Sequence, residues 1–386
     1  METQIWNKKF RYVFLLLFYL SLTGCQKSTS DDLIVFDVNM NVPVKTLDIE
    51  DVADIEYLVL DVTDDDYLFT TFVSMSDSYV ICMGARREFL FFSRTTGKPV
   101  SKISRYGNGP GEYTTPAVVV YSEEKDDFFM IDYPLGIKVY GRDGTFKRMF
   151  PHKANFYPSS PTALFDYDED YLLLNGFSFT GDMKDTSFVL ISKQDGFMEE
   201  IYIPYQEHVS LIIMQEGGGI PENNHAVRNN NDFLLTDYSS DTVYRFTPEH
   251  KLIPVLVRTP SIQKMDSKII LHSWLETRNY LFFSTTKLEV DLSKTGGFQV
   301  KGYLMEKRSG SFFRSNVQMA DYKGKEIFVD PPVIVRTSNQ HTGIIVLSAL
   351  ELQTAYEDNK LSGKLKEVTE RLTKDDEYVF MILKFK

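Results

Sequence analysis

Cysteine is almost missing from this chain: 386 residues hold two, Cys25 and Cys82. At most one disulfide could form, which rules out a small disulfide-stapled scaffold. Histidine is sparse and dispersed. His152, His208, His225, His250, His272 and His341 make no His-x-His or His-Glu-x-x-His pair, so spacing predicts no metal site. Basic residues are outnumbered, 42 Lys and Arg against 54 Asp and Glu, for a net charge of −12. An acidic surface repels phosphate backbones and anionic headgroups, so no nucleic acid partner is expected. Phosphate loops and nucleophile elbows are lacking too. Gly176-Phe177-Ser178-Phe179-Thr180 ends in Thr where an elbow needs Gly. Asp166-Tyr167-Asp168-Glu169-Asp170 starts like a calcium loop, but Tyr171 and Phe177 stand where Gly and Glu are required. No apolar run reaches the roughly 20 residues of a bilayer span. Tryptophan is limited to Trp6 and Trp274, and no cofactor is expected.

The apolar stretch nearest to a span, Tyr12 to Leu22, follows Lys8, Lys9 and Arg11 and ends at Thr23-Gly24-Cys25. A basic start with a short apolar core is an export signal and not an anchor. Leu22-Thr23-Gly24-Cys25 resembles the lipobox of bacterial lipoproteins. That resemblance implies removal of residues 1–24, acylation of Cys25, and a membrane partner reached through the lipid. Several acyl chains, at about 0.8 kcal/mol per buried CH₂, hold a protein at a membrane without a spanning helix. Residues 25–32 read as a polar tether. Cys82, in the strand-like Tyr79-Val80-Ile81-Cys82-Met83, is left unpaired and reads as a small buried hydrophobe.

Beyond the tether, short runs rich in Phe, Tyr and β-branched residues alternate with turns of Gly, Asp, Asn and Pro. Phe128-Phe129-Met130-Ile131-Asp132-Tyr133 leads to Ile137-Lys138-Val139-Tyr140, and Phe233-Leu234-Leu235-Thr236-Asp237-Tyr238 leads to Thr242-Val243-Tyr244. Counting fainter copies, units start at Tyr79, Phe128, Tyr171, Phe233 and Tyr280, spaced 49, 43, 62 and 47 residues apart. A period of roughly 40–50 residues with about four strands per unit is the signature of propeller blades. The expected fold is all-β, a six-bladed β-propeller over residues 33–386. Two packed β-sandwiches are the alternative, disfavoured by the Asp-Tyr and Val-Tyr recurrence. The terminal run Tyr378 to Phe385 suits ring closure. Leu361, Leu365, Val368 and Leu372 at helical spacing predict one short amphipathic helix before it. Gln215 to Pro221 reads as an inserted loop in the longest gap between repeats.

One segment does not repeat: Arg105-Tyr106-Gly107-Asn108-Gly109-Pro110-Gly111-Glu112-Tyr113. Gly107, Gly109, Pro110 and Gly111 make a stiff, irregular link between blades, with Gly109 and Gly111 expected at backbone angles that a Cβ penalises. Together with the lipobox, the blade repeats and the strand-like C-terminus, the Gly-x-Gly-Pro-Gly-Glu-Tyr segment resembles the six-bladed propeller lipoproteins of Bacteroidetes, relatives of NHL-type and TolB-type propellers. The resemblance implies an outer-membrane lipoprotein of the cell envelope, periplasmic or surface-exposed. Ser30-Asp31-Asp32 is similar to the acidic tag that exports such lipoproteins to the surface.

Propellers place ligands where loops from several blades meet at one mouth of the channel. The candidate binding residues are therefore Arg105, Glu112 and Tyr113 from the link, with Asp132, Tyr133, Asp237 and Tyr238 from the Asp-Tyr turns. Each has a competing structural role, since an Asp at a turn also bonds its own backbone N–H groups. The expected function is a non-enzymatic binding or interaction module for a glycan, peptide or envelope protein. The alternative is a propeller-type polysaccharide lyase or hydrolase using carboxylates, Tyr and Arg at the mouth.

Overall fold

A computed structural model describes residues 33–133, 135–151, 160–177, 187–209, 212–215, 218–221, 225–288, 300–327 and 342–386. The expected export signal, Cys25 and the whole of the expected tether, residues 25–32, lie outside them. The chain divides into two units, Met1–Ile34 and Val35–Lys386. The second carries the fold, an all-β six-bladed propeller.

Blade I is built from Phe69–Met75, Tyr79–Gly84, Phe89–Ser93 and Pro99–Ile103. Blade II follows with Pro116–Ser122, Asp127–Asp132, Gly136–Tyr140 and Phe146–Pro151, and blade III with Ser160–Asp166, Tyr171–Phe177, Phe188–Ser192 and Met198–Glu200. Blade IV contains His225–Asn229, Asp232–Thr236, Thr242–Phe246 and Leu252–Thr259. Blade V contains Ile269–Glu276, Tyr280–Lys287, Val300–Glu306 and Ser311–Gln318. The sixth blade joins Thr342–Ser348 to Tyr378–Phe385, which pairs in turn with Ala53–Leu58 from the other end of the chain. The pairing runs antiparallel from Phe380 opposite Leu58 to Phe385 opposite Ala53, so the two chain ends share one sheet. All five repeat marks of the sequence fall at second strands rather than at blade starts. Those strands have neighbours on both edges and packing on both faces, so their apolar runs are the least interrupted.

The N-terminal segment does more than close the sixth blade. Ile34–Asp37 adds to the outer edge of blade IV, Val44–Asp48 lies parallel to the outer strand of blade V, and Ala53–Leu58 then enters blade VI. This strap is pinned by Phe36. Its fully buried ring meets Phe283, Tyr303 and Phe312 with centroids 4.7, 5.0 and 5.1 Å away. Burying a Phe side chain stabilises by about 1.5–3 kcal/mol, and edge-on aromatic contacts add to that.

The single predicted helix needs correction. Two helices stand between the first and second described strands of blade VI, α1 at Ala349–Glu357 and α2 at Gly363–Thr369. Ser348 caps α1 by accepting the Glu351 N–H. Of the four leucine and valine residues at helical spacing, only Leu365 and Val368 lie within α2; Leu361 precedes it and Leu372 follows it. The expected inserted loop at Gln215 to Pro221 also needs correction, since Ile212–Gln215 and Gly218–Pro221 pair as antiparallel strands.

Candidate functional site

The Gly-Pro-Gly-Glu-Tyr link turns inward on itself. Gly109 N–H donates to Glu112 Oε2 at 2.7 Å, and the Glu112 N–H donates to the Gly109 carbonyl at 3.0 Å. A Cβ at Gly107 would lie 2.1 Å from the same Oε2, and at Gly109 3.0 Å from it. Gly107 thus leaves room for the Glu112 carboxylate in the position from which it bonds the Gly109 N–H. Gly111 is demanded by backbone, with φ +74° and Phe146 Cγ 2.9 Å from where a Cβ would stand. The expectation that Gly109 needs an unusual backbone angle does not hold; only Gly111 in this link has positive φ.

Tyr113 is fully buried against Phe89 and Tyr140, and its hydroxyl donates to the Arg87 carbonyl at 2.6 Å. Burial pushes its phenol well above the ordinary value. Asp132 is also completely buried. Its Oδ1 accepts the N–H groups of Thr114 and Thr115 at 3.0 and 2.7 Å, while Oδ2 meets Lys138 Nζ at 2.6 Å. Lys138 donates as well to the Glu112 carbonyl, so one buried ion pair fastens the link to the second and third strands of blade II. Breaking one side of such a pair is costly, because the remaining charge is left in a poorly solvating interior. Arg105 is exposed, with Nε donating to the Gly144 carbonyl at 3.0 Å, and Tyr133 is exposed beside its buried neighbour. The structure thus separates the seven candidates. Glu112, Tyr113 and Asp132 hold the link, and Arg105 and Tyr133 lie at the surface.

Asp237 and Tyr238 belong to a second group. Asp237 accepts the Ser239 N–H at 2.9 Å and the Ser187 hydroxyl at 3.0 Å, and burial raises its carboxyl above the usual range. Tyr238 is hydrogen-bonded through its hydroxyl to His272 Nδ1 at 2.7 Å, and His272 Nε2 is 3.0 Å from Thr286 Oγ1. His272 stacks on Trp274 with centroids 4.9 Å apart and planes at 10°. His225 closes the group, 5.6 Å from Tyr238, 5.5 Å from His272 and 5.3 Å from Trp274. Burial keeps both imidazoles neutral, His225 with its pKa down to about 3 and His272 well below the ordinary value. Trp274 Nε1 and Ser284 Oγ are buried without a protein partner among the described residues.

Of this cluster, sequence nominated only Tyr238. His225 stands on the first strand of blade IV and His272 on the first strand of blade V, 47 residues apart, which is also the interval from Phe233 to Tyr280. Equal phase in neighbouring repeats is the signal that could have found it. Side by side, these first strands also bring Asn229 to Glu276, Nδ2 to Oε2 at 2.9 Å, again one interval apart. On blades I–III the first strands instead line a cavity of about 120 Å³ through Val73, Ser74, Val118, Thr162 and Leu164, all small or apolar. One side of the set of first strands thus carries small aliphatic and hydroxyl side chains, and the other carries aromatic ones. With both its ring nitrogens engaged, His272 is set to hold geometry rather than to move protons.

Among solved structures, the chain is similar to a protein of Bacteroides fragilis named as exported, at 14% identity, covering 92% of this chain and 99% of that one with a TM-score of 0.60. It is also similar to a member of the DUF4221 family from Bacteroides vulgatus, at 9% identity over 87% and 97% of the two chains, TM-score 0.48. At 14% identity the likeness to the first is one of fold. No curated protein matches the chain. The family model for a domain of unknown function, DUF4934, matches residues 33–384, and the chain belongs to that family.

Proposed function

We propose that this protein is a lipid-anchored lipoprotein of the outer membrane that binds a glycan, peptide or envelope protein partner and does not transform it. Cys25 carries the lipid, and the propeller presents loops and the ends of its first strands to the partner. One observation carries the binding reading. The acids and the tyrosines that would serve a lyase or hydrolase, Glu112, Tyr113, Asp132, Asp237 and Tyr238, are hydrogen-bonded into the fold. A catalytic acid or base must reach the proton that it transfers, and these groups are engaged with backbone and side chains of the fold.

The test is a glycan and peptide binding screen on the full-length protein in detergent, with the ligand recovered afterwards and its mass measured. Saturable binding with unchanged ligand supports the reading. A shortened or unsaturated product would replace it with the lyase or hydrolase alternative.

A further inference from the structure

We infer that the join between blades VI and I is a socket for one lysine side chain of a protein partner. This rests on the binding reading above and specifies a partner for it. Leu60, Val62, Leu68 and Phe69, from the end of the strap and the start of blade I, enclose a cavity of about 160 Å³ together with Asp375, Asp376, Glu377 and Tyr378. Phe69 and Tyr378 lie 5.8 Å apart and form an aromatic wall, while Leu68 is 51% exposed at the mouth.

Size decides the class of occupant. The cavity holds the volume of about five waters, well below the roughly 300 Å³ at which small-molecule pockets begin. It fits a single long side chain and not a sugar pair or a cofactor. Charge decides which side chain. Asp376 is spent on the Thr373 N–H and hydroxyl, at 2.7 and 2.8 Å, and Asp66 on Lys102 and Arg86. Asp375 and Glu377, which line the cavity, and Asp65, three residues in sequence from both Val62 and Leu68, are exposed and make no side-chain hydrogen bond or ion pair among the described residues. An apolar shaft flanked by unspent carboxylates matches a lysine, whose four methylenes pack against apolar surface while the ammonium stays at the water edge. The aromatic wall adds attraction for the cation. Neutral apolar side chains would fill the shaft but leave the carboxylates uncompensated.

The probe is a fluorescein-labelled peptide of alternating Leu and Lys, compared with its Leu and Glu counterpart, titrated by anisotropy against the full-length protein in non-ionic detergent. The Lys peptide is expected to bind and the Glu peptide not. The triple change Asp65→Asn, Asp375→Asn, Glu377→Gln should weaken the Lys peptide by about tenfold, as three partly exposed ion pairs would. Removing three exposed carboxylates elsewhere (Glu124→Gln, Glu357→Gln, Glu367→Gln) should change it less than twofold, by the general field alone. Leu68→Arg, which places a cation of the chain's own at the mouth, should abolish binding while the thermal transition stays in place. Equal loss in the two triple variants, or full binding by Leu68→Arg, overturns the socket. A ligand from the glycan and peptide screen that binds regardless of these changes would leave the binding reading standing without it.

Discussion

Glu112 and Gly107 form a reciprocal pair: the carboxylate occupies the space that a side chain at Gly107 would need, and bonds the Gly109 N–H. Glu112→Ala should therefore lower stability by about 1.5–3 kcal/mol, the worth of a hydrogen bond to a charged group, with partner binding kept in the folded fraction. Gly111→Val should cost about 1–3 kcal/mol through its positive φ, and Gly109→Ala less, because only a side-chain oxygen must move. Chemical denaturation of the three variants checks the order. Retained stability with lost binding in Glu112→Ala would make Glu112 a ligand residue. The histidines bring pH into the balance. Buried neutral, His225 has a folded pKa near 3 and His272 also lies far below the unfolded value near 6.5. As pH falls below 6.5 the unfolded chain takes up protons that the native one refuses, so stability is present above that pH and drains below it, by about 1 kcal/mol per pH unit per histidine. Denaturation midpoints from pH 7 to 5 should fall, and His225→Asn should flatten the slope. An unchanged slope would mean that water reaches the imidazole.

At the scale of elements, the strap is the part with the least written warning. Ile34–Asp37, Val44–Asp48 and Ala53–Leu58 alternate exposed and covered residues, as edge strands do, and their partners come from more than 200 residues further on. Nothing local marks them. Second strands such as Asp127–Asp132, buried at every position, announced themselves as the repeat. The helix α1 was hidden for another reason: its covered face is Ala349, Leu352 and Ala355, too small a stripe to raise a helical period. The His225–His272 pair was legible only in phase, as one residue type at one place in consecutive blades. Phe36→Ala measures the strap's worth. It should cost about 3–5 kcal/mol by the ordinary cost of emptying an aromatic site, and hydrogen exchange should rise first in the outer strands of blades IV and V. A loss below about 1 kcal/mol would mean that the strap rests on the ring without holding it.

For the whole molecule, closure links the last strand to the third strand of the chain, Lys384 to Asp54 and Phe380 to Leu58 in register. Removing residues 378–386 should therefore abolish a single cooperative transition rather than melt one blade, and limited proteolysis that released a stable half would refute this. Fold and proposed binding differ in how they can be read: the period of the strands is spread over the whole chain, whereas the proposed binding rests on a few side chains that only the folded chain brings together. The central claim is that this ring holds a partner and leaves it chemically intact. Mass analysis of a ligand bound by the full-length protein, incubated to many equivalents and recovered, tests it most directly. The ligand should return at its original mass with saturable, stoichiometric binding; a product that accumulates beyond one equivalent per protein would contradict the claim.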